Sequence, residues 1–99
     1  MTLSTTTANG TVTIAVTGKF DFNVHRDFRE AYKTKANGES KYVIDLSGTE
    51  YMDSSALGML LLLREHAGGE SARISIENAR SEIKDILTIA NFQKLFTIT

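Results

Sequence analysis

Several residue types and patterns that define a class of protein are missing from this 99-residue sequence. Cysteine is absent, which excludes disulfide scaffolds and thiolate metal sites. Proline is absent too, so no proline interrupts a predicted helix or strand. Eleven basic and twelve acidic residues give a net charge of -1, without a local cluster of lysine and arginine. That balance argues against a nucleic-acid-binding protein.

Patterns for a membrane span and for a signal peptide are also missing. The longest strongly apolar run, residues 57–63, is much shorter than the roughly 20 residues that a membrane-spanning helix needs. The first seven residues contain neither a basic n-region nor an apolar h-region. We therefore expect a protein that stays in the reducing cytoplasm and has no membrane partner.

What is present is the composition of an ordinary globular domain. Hydrophobic residues make up 41% of the chain and charged residues 23%. A chain of this length has room for only one hydrophobic core. We therefore expect residues 1–99 to form a single domain.

Periodicity along the chain predicts the element order ββαβαβαβ. Asn9-Gly10 is a hairpin signal, and Gly18 is expected to close the second strand. The predicted strands cover residues 2–7, 11–17, 41–46, 73–76 and 95–99. One predicted helix extends from about Asn23 to Asn37-Gly38, a second from about Ser55 to Ala67, and a third from about Asn78 to Asn91. Asn23 and Asn78 are the expected N-caps, and Ser55 is the expected first residue of the second helix. Residues 47–52 are expected to be a loop. A hairpin followed by alternating units predicts an α/β fold with one mixed sheet and helices packed on it.

The helix over residues 55–67 has the most informative pattern. On a wheel of 100° per residue its apolar side chains fill an arc of roughly 200°, wider than the stripe of a simple surface helix, so most of it is expected to be core. That arc contains Ala56, Leu57, Met59, Leu60, Leu61, Leu63 and Ala67. Leu62 falls outside it, between Ser55, Gly58 and His66. Leu62 is either an ordinary exposed apolar residue or an anchor for a partner protein.

The start of this helix combines Asp53, Ser54 and Ser55. The first N–H groups of a helix have no intrahelical acceptor, and the helix dipole places partial positive charge there. One interpretation is that the three side chains are caps and nothing more. The other is that a serine here carries a phosphate, whose charge of about −1.5 to −2 would alter the surface beside Leu62.

Residues 42–58, from Tyr42 to Gly58, resemble a strand followed by the segment M-D-S-[ST]-G-L-G of STAS domains, the fold of bacterial anti-sigma-factor antagonists. Gly18-Lys19-Phe20-Asp21 is similar to the family's G-x-[LIF]-D turn. Residues 82–98 follow the family's third helix and last strand, so the resemblance covers nearly the whole chain. Ala56 stands where the family often has glycine, but the acceptor serine is present.

The resemblance implies a partner-switching protein that is not an enzyme and has no cofactor or metal. It implies that Ser54 is phosphorylated by an anti-sigma factor with serine-kinase activity and restored by a serine phosphatase. The unphosphorylated protein is expected to bind the anti-sigma factor. The expected partner-binding residues are Asp21, Asp53, Ser54, Ser55, Gly58 and Leu62.

Other function classes remain as alternatives. One is a STAS interaction module outside sigma control, for example one that controls a diguanylate cyclase or a transport complex. Another is a nucleotide-binding STAS domain, although no glycine-rich phosphate loop is present. Phe20, Phe22 and Phe28 are expected to pack in the core rather than to stack on a base.

Two features argue against an enzyme. His25 and His66 lack the spacing of metal ligands. A Ser54-His66-Asp53 assembly fails because His66 lies roughly 17 Å along the same helix.

Overall fold

Five strands form a mixed sheet in the computed structural model, which describes residues 3–33 and 41–99. The strands in these residues are β1 (Leu3–Ala8), β2 (Thr11–Val16), β3 (Gly18–Phe20), β4 (Lys41–Asp45), β5 (Thr49–Met52), β6 (Arg73–Glu77) and β7 (Thr97–Ile98). The larger sheet has the order β1-β2-β4-β6-β7. β1 runs antiparallel to β2, and the other neighbours in this sheet are parallel. The predicted α/β class, a mixed sheet with helices packed on it, is confirmed.

The first two strands form the predicted hairpin. Asn9 and Gly10 both adopt the left-handed conformation, with φ of 51° and 78°. Two left-handed residues in a row are what a type I′ turn requires, and asparagine followed by glycine supplies them at low cost.

In residues 3–33 and 41–99, three α-helices pack with the sheet around one core. They are α1 (His25–Lys33), α2 (Ser54–His66) and α3 (Ser81–Ile89). Alternate residues of the central strands point into the core, as the period of two predicts. These are Val12, Ile14 and Val16 of β2, Tyr42 and Ile44 of β4, and Ile74 and Ile76 of β6. Within the described residues, no helix is long and apolar enough to cross a membrane.

A second, two-stranded parallel sheet of β3 and β5 was not predicted. Gly18, expected to close β2, begins β3, and residues 49–52 are a strand rather than a loop. The ends of β5 are buried while its middle is exposed, so the segment lacks the period of two. Its position is fixed by contacts distant in sequence: Thr49 Oγ1 donates a hydrogen bond of 2.7 Å to the carbonyl of Val16.

Three expectations about the helices were wrong or partly wrong. The cap before α1 is Asp21 rather than Asn23, because a short 3₁₀ turn (Phe22–Val24) precedes the helix. Asn78 does not cap α3; it adopts φ 63°, and its Nδ2 donates to Asp45 Oδ1 at 3.5 Å. Leu61 is not core but 40% exposed. The left-handed Asn91 is confirmed, with φ 62°. The predicted stop at residues 37–38 lies outside the described residues.

Candidate functional site

Asp53 holds the start of α2 in place. Its backbone is extended, and its Oδ1 accepts hydrogen bonds from the backbone N–H of Ser55 at 3.0 Å and of Ala56 at 3.3 Å. The carboxylate therefore satisfies two of the N–H groups that a helix start leaves without an acceptor. The capping interpretation of Asp53 is confirmed.

Ser54 is the first residue of α2, and its side chain is exposed. In the described part of the chain no hydrogen bond to its hydroxyl is formed, whereas the backbone of the neighbouring Ser55 is held by Asp53. Ser54 is therefore accessible to a modifying enzyme, and Ser55 is half-buried within the cap. The two adjacent serines therefore differ: the Ser54 hydroxyl is exposed, whereas Ser55 forms part of the cap.

An exposed stripe continues from Ser54 along α2. Gly58 and Leu62 follow at intervals of four residues, which places them on one side of the helix. Leu61 lies about 20° from Ser54 on the helix wheel. Leu62 is 57% exposed and Leu61 40% exposed. We call Ser54, Gly58, Leu61 and Leu62 the α2 face. Between Ser54 and Leu62 this face carries no charged side chain, and the exposed Glu65, about 20° from Ser54 on the wheel, follows at its far end.

Gly58 has no side chain and leaves the helix backbone exposed within the α2 face. A Cβ atom added at this position would meet no heavy atom within 4 Å, so the fold does not require glycine there. Glycine in an exposed helix interior costs about 1 kcal/mol relative to alanine. Packing within the domain thus gives no reason for Gly58. Close approach of another protein to this part of the helix would give one.

The two-stranded sheet brings Asp21 beside Asp53. Phe20 of β3 is the register partner of Met52 of β5, so the next residues, Asp21 and Asp53, leave the sheet side by side. Each aspartate then caps a helical segment: Asp21 Oδ1 accepts the backbone N–H of Asn23 at 3.0 Å. The structure therefore brings together two residues that the sequence analysis had placed in separate motifs.

Sequence reasoning misplaced Phe22, the residue that follows Asp21. Phe22 was expected in the core but is 67% exposed, and its ring stacks on His25 with centroids 5.0 Å apart. Phe22 directly follows the capping residue Asp21, just as Ser54 directly follows the capping residue Asp53. Phe22 is therefore the first residue of the 3₁₀ turn, as Ser54 is the first residue of α2. A signal was available: Asp21 is a good cap, and the residue after a cap begins a helical turn rather than continuing a strand.

A groove of about 420 Å³ separates α1 from α2 beside this site. Leu62 forms part of its wall, together with Tyr32, Met59 and His66. The Tyr32 and His66 rings pack at 5.0 Å, and burial raises the pKa of Tyr32 above its ordinary value. The lining also includes Arg29 and Lys33 of α1, so the recess next to Leu62 combines aromatic and apolar side chains with basic ones.

The geometry changes how a phosphate at Ser54 would be held. Asp53 already occupies the N–H groups of Ser55 and Ala56, so a phosphate would have to displace that carboxylate to bind them. Asp53, together with Asp21 at the neighbouring strand end, adds negative charge that opposes the attraction of the helix dipole for a phosphate. A phosphate on Ser54 would therefore change the charge of the α2 face.

The described residues include no group of three or more histidine, cysteine, aspartate or glutamate side chains arranged to hold a metal ion. His25 and His66 lie on different helices and pack against aromatic rings. In the part of the chain that the structure describes, the buried Tyr42 hydroxyl has no hydrogen-bond partner. Burial raises its pKa, so the group is a neutral phenol.

Comparison with known proteins places this fold and sequence in a family. A family model described as Mlab, STAS domain, matches residues 3–97. A STAS-domain containing protein of Pseudomonas aeruginosa strain UCBPP-PA14 is 54% identical over 88 residues, which are 89% of this chain and 87% of that protein.

Two solved structures share the fold. An anti-sigma factor antagonist from Mycobacterium paratuberculosis has a TM-score of 0.80 at 19% identity, covering 98% of this chain and 83% of that one. The anti-sigma factor antagonist SpoIIAA in its unphosphorylated form has a TM-score of 0.73 at 18% identity, covering 98% of this chain and 86% of that one. These structural matches show the fold, and the family model and the sequence relative show the membership: the chain belongs to the STAS-domain family.

Proposed function

We propose that this protein is an anti-sigma-factor antagonist that acts by phosphorylation-dependent partner switching, with Ser54 as the phosphoacceptor. The observation that carries the proposal is the exposed Ser54 hydroxyl at the head of an apolar, exposed stripe on α2. Two structures with this fold are anti-sigma factor antagonists, and one is described in its unphosphorylated form, which supports the class.

The switch works through a change of charge on the α2 face. In the unphosphorylated protein a partner packs on Leu61 and Leu62 and approaches the helix closely at Gly58. Phosphorylation of Ser54 adds a charge of about −1.5 to −2 at the edge of that contact. The phosphate must then be desolvated without a cation on the α2 face to pair with it, which costs more than burying a hydroxyl. The partner is released.

The two aspartates have a positioning role in this proposal. Asp53 fixes the backbone from which the Ser54 side chain projects, and Ser55 is held in the same cap. Asp21 caps the 3₁₀ turn that begins with the exposed Phe22, and it leaves β3 where Asp53 leaves β5. Both carboxylates also give the helix start a fixed negative charge, which a kinase can contact through its metal or basic residues.

The partners follow from the switch. They are an anti-sigma factor with serine-kinase activity, which binds the unphosphorylated form, and a serine phosphatase, which restores it. The protein itself supplies a surface and an acceptor hydroxyl and performs no catalysis. The reaction is expected in the cytoplasm, where ATP-dependent kinases and sigma factors act.

The test compares Ser54→Ala, Ser54→Asp and the matched control Ser55→Ala as baits, followed by titration of each purified bait with the captured partner. We expect Ser54→Ala and Ser55→Ala to bind like the unmodified protein. Ser54→Asp should bind at least about tenfold more weakly, a difference of about 1.4 kcal/mol.

Incubation with the captured kinase and ATP should label the Ser55→Ala variant and leave the Ser54→Ala variant unlabelled. Equal affinity of the alanine and aspartate variants, or labelling of Ser54→Ala, contradicts the phosphoswitch. If a diguanylate cyclase or a transport complex is captured instead of an anti-sigma factor, the proposed phosphorylation switch stands and the proposed class of partner is wrong.

A further inference from the structure

The groove between α1 and α2 has a buried floor and two exposed rims that differ in chemistry. Phe28 and Met59 are the most buried of the side chains that line it, at 1% and 5% exposed. On the α2 side the groove is bordered by the exposed side chain of Leu62. On the α1 side it is bordered by the exposed side chains of Arg29 and Lys33, which we call the cationic rim. An occupant of the groove therefore meets an apolar side chain on one side and positive charge on the other.

The cationic rim follows one side of α1. His25, Arg29 and Lys33 are spaced four residues apart, which places their side chains in one row along the helix. Burial raises the pKa of the Tyr32 hydroxyl and the Arg29 charge opposes that rise, so the positive charge of Arg29 acts inside the groove. Among the described residues that line the groove there is no aspartate or glutamate. The rim therefore favours an anion.

The acidic residues of α1 and α2 do not neutralise the cationic rim. Glu30 Oε2 lies 2.7 Å from Lys33 Nζ, but both side chains are about half exposed, so water screens their attraction. Asp27 lies on the opposite side of α1 from the row of basic residues. On α2, Glu65 lies near the turn that follows the helix: a Cβ atom added at Gly69 would be 3.9 Å from Glu65 Oε2. The rim therefore keeps a net positive charge.

We infer that this groove binds a short segment of the partner protein in which a carboxylate lies next to an apolar side chain. The carboxylate lies against Arg29, and the apolar side chain packs between Leu62 and the floor. The groove volume of about 420 Å³ is at the lower end of the range for ligand pockets, so it admits a few side chains and not a folded domain. Leu62 belongs both to the groove and to the α2 face, so one partner can cover the two surfaces together. The identity of that partner rests on the proposed function.

A carboxylate matches this rim better than a neutral or a basic group does. The Arg29 guanidinium can donate two parallel hydrogen bonds to the oxygens of one carboxylate, and such charged pairs are stronger than hydrogen bonds between neutral groups. The contact lies beside the aromatic and apolar floor, where the effective dielectric constant is lower than in water. A lysine or arginine of the partner would be repelled at the same point. Binding should also weaken as the salt concentration rises.

The first measurement uses synthetic peptides in place of the partner. The probe is a blocked peptide of about 12 residues in which leucine and glutamate lie four positions apart and so share one helix face. The control peptide has lysine in place of each glutamate. Each peptide is titrated into isotope-labelled protein at an ionic strength of about 0.05 M, and backbone amide signals are followed by NMR. The glutamate peptide should shift the signals around Arg29 and Leu62 with a Kd below about 1 mM, and the lysine peptide should bind at least about tenfold more weakly.

Several results of these titrations overturn the inference. Equal affinity for the two peptides, shifts confined to other parts of the described structure, or no saturable shift up to about 5 mM each contradict an acidic occupant. Sodium acetate that saturates the same signals at the same concentration as the glutamate peptide would assign the groove to a free carboxylate. Groove signals that shift when the protein alone is concentrated would identify a second copy of the chain as the occupant.

The second measurement tests the contact at Arg29. Arg29→Glu should bind the glutamate peptide at least about tenfold more weakly than the unmodified protein does, and it should bind the lysine peptide more tightly. Lys84→Glu makes the same charge change at an exposed position of α3 and is the matched control, expected to stay within about twofold of the unmodified protein. Equal weakening by both substitutions would reveal a general charge effect and overturn the inference. Circular dichroism of each variant establishes that it is folded.

Failure of the groove and failure of the phosphoswitch give different results. The peptide titrations involve no phosphate and no change at Ser54, so they can succeed when the phosphoswitch fails. With the captured partner, Arg29→Glu should bind at least about tenfold more weakly than the unmodified protein. If Arg29→Glu binds the partner normally while Ser54→Asp does not, the phosphoswitch stands and the groove inference is overturned. If Ser54→Asp binds like Ser54→Ala while Arg29→Glu is weakened, the groove stands and the phosphoswitch is wrong.

Discussion

The two sides of α2 are built from the same residue type and behave differently. Residues 60–63 are four consecutive leucines. Leu60 and Leu63 are completely buried, whereas Leu61 is 40% and Leu62 57% exposed. The buried pair explains why the helix packs on the sheet. The exposed pair contributes little to folding, and with Ser54 it forms the surface on which the proposed partner packs.

The largest expected effect comes from shortening one leucine on each side. Leu60→Ala removes a fully buried side chain and should lower the free energy of unfolding by about 2–5 kcal/mol. Leu62→Ala, two positions along the same helix, should change it by less than about 0.5 kcal/mol. Urea denaturation of both variants measures the difference. Similar losses for both would mean that Leu62 is part of the core.

The second prediction concerns the exposed side and binding. Leu62→Lys should weaken capture of the partner at least about tenfold while the unfolding midpoint stays close to that of the unmodified protein. Ile89→Lys is the matched control, because Ile89 is 82% exposed on α3 and away from Ser54. Titration of both variants with the captured partner decides the matter. Equal weakening by both substitutions would reveal a general charge effect instead of an anchor.

The third prediction distinguishes Asp53, which caps the helix, from Ser54, the proposed phosphoacceptor. Asp53→Ala leaves two N–H groups at the start of α2 without their acceptor and should cost about 1 kcal/mol of stability. Ser54→Ala should cost less than about 0.5 kcal/mol, since the side chain is exposed. Thermal unfolding of both variants tests the order. A larger loss for Ser54→Ala would assign the structural role to the serine.

The fold was predictable where a local pattern determines the structure. The Asn9-Gly10 turn and the bounds of α2 follow from backbone preferences and apolar periodicity, and the structure confirms both within a residue or two. The β3–β5 pair was missed because its strands are short and its register depends on distant contacts such as Thr49 to Val16. Gly48 shows the same dependence: a Cβ there would lie 2.6 Å from Thr17 Cγ2, a close approach that no local pattern reveals.

The candidate site was predictable in its residues and less so in their arrangement. Asp53 as a cap and Leu62 as an exposed residue follow from the sequence. The wheel placed Leu61 in the buried arc because an arc of roughly 200° leaves its edges undefined. That Asp21 lies beside Asp53 required the strand register, which a single sequence does not contain.

The smallest expected effect is a change in how stability depends on acidic pH, and it arises in the sheet rather than in α2. The backbone N–H of Ser47 donates to Asp45 Oδ1 at 2.9 Å, and this bond, more than any other cause, lowers the pKa of Asp45 below its ordinary value of 3.8. A lowered folded-state pKa means that the carboxylate adds stability above about pH 4 and loses that contribution as the pH falls through the folded-state value. Asp45→Asn should therefore flatten the dependence of the urea midpoint on pH between about 6 and 3, measured at low protein concentration.

Glu30→Gln is the matched comparison for this acid effect. The pKa of Glu30 is also lowered, first by its hydrogen bond with Lys33 at 2.7 Å, but both side chains are about half exposed and solvent screens their attraction. Its pH profile should follow the unmodified protein more closely than that of Asp45→Asn. Coinciding profiles for Asp45→Asn and the unmodified protein would mean that the Ser47 bond contributes nothing to folding. Because neither Asp45 nor Glu30 lies on α2, neither substitution should alter partner capture at neutral pH, which separates the acid response of the sheet from the binding role proposed for the exposed leucines.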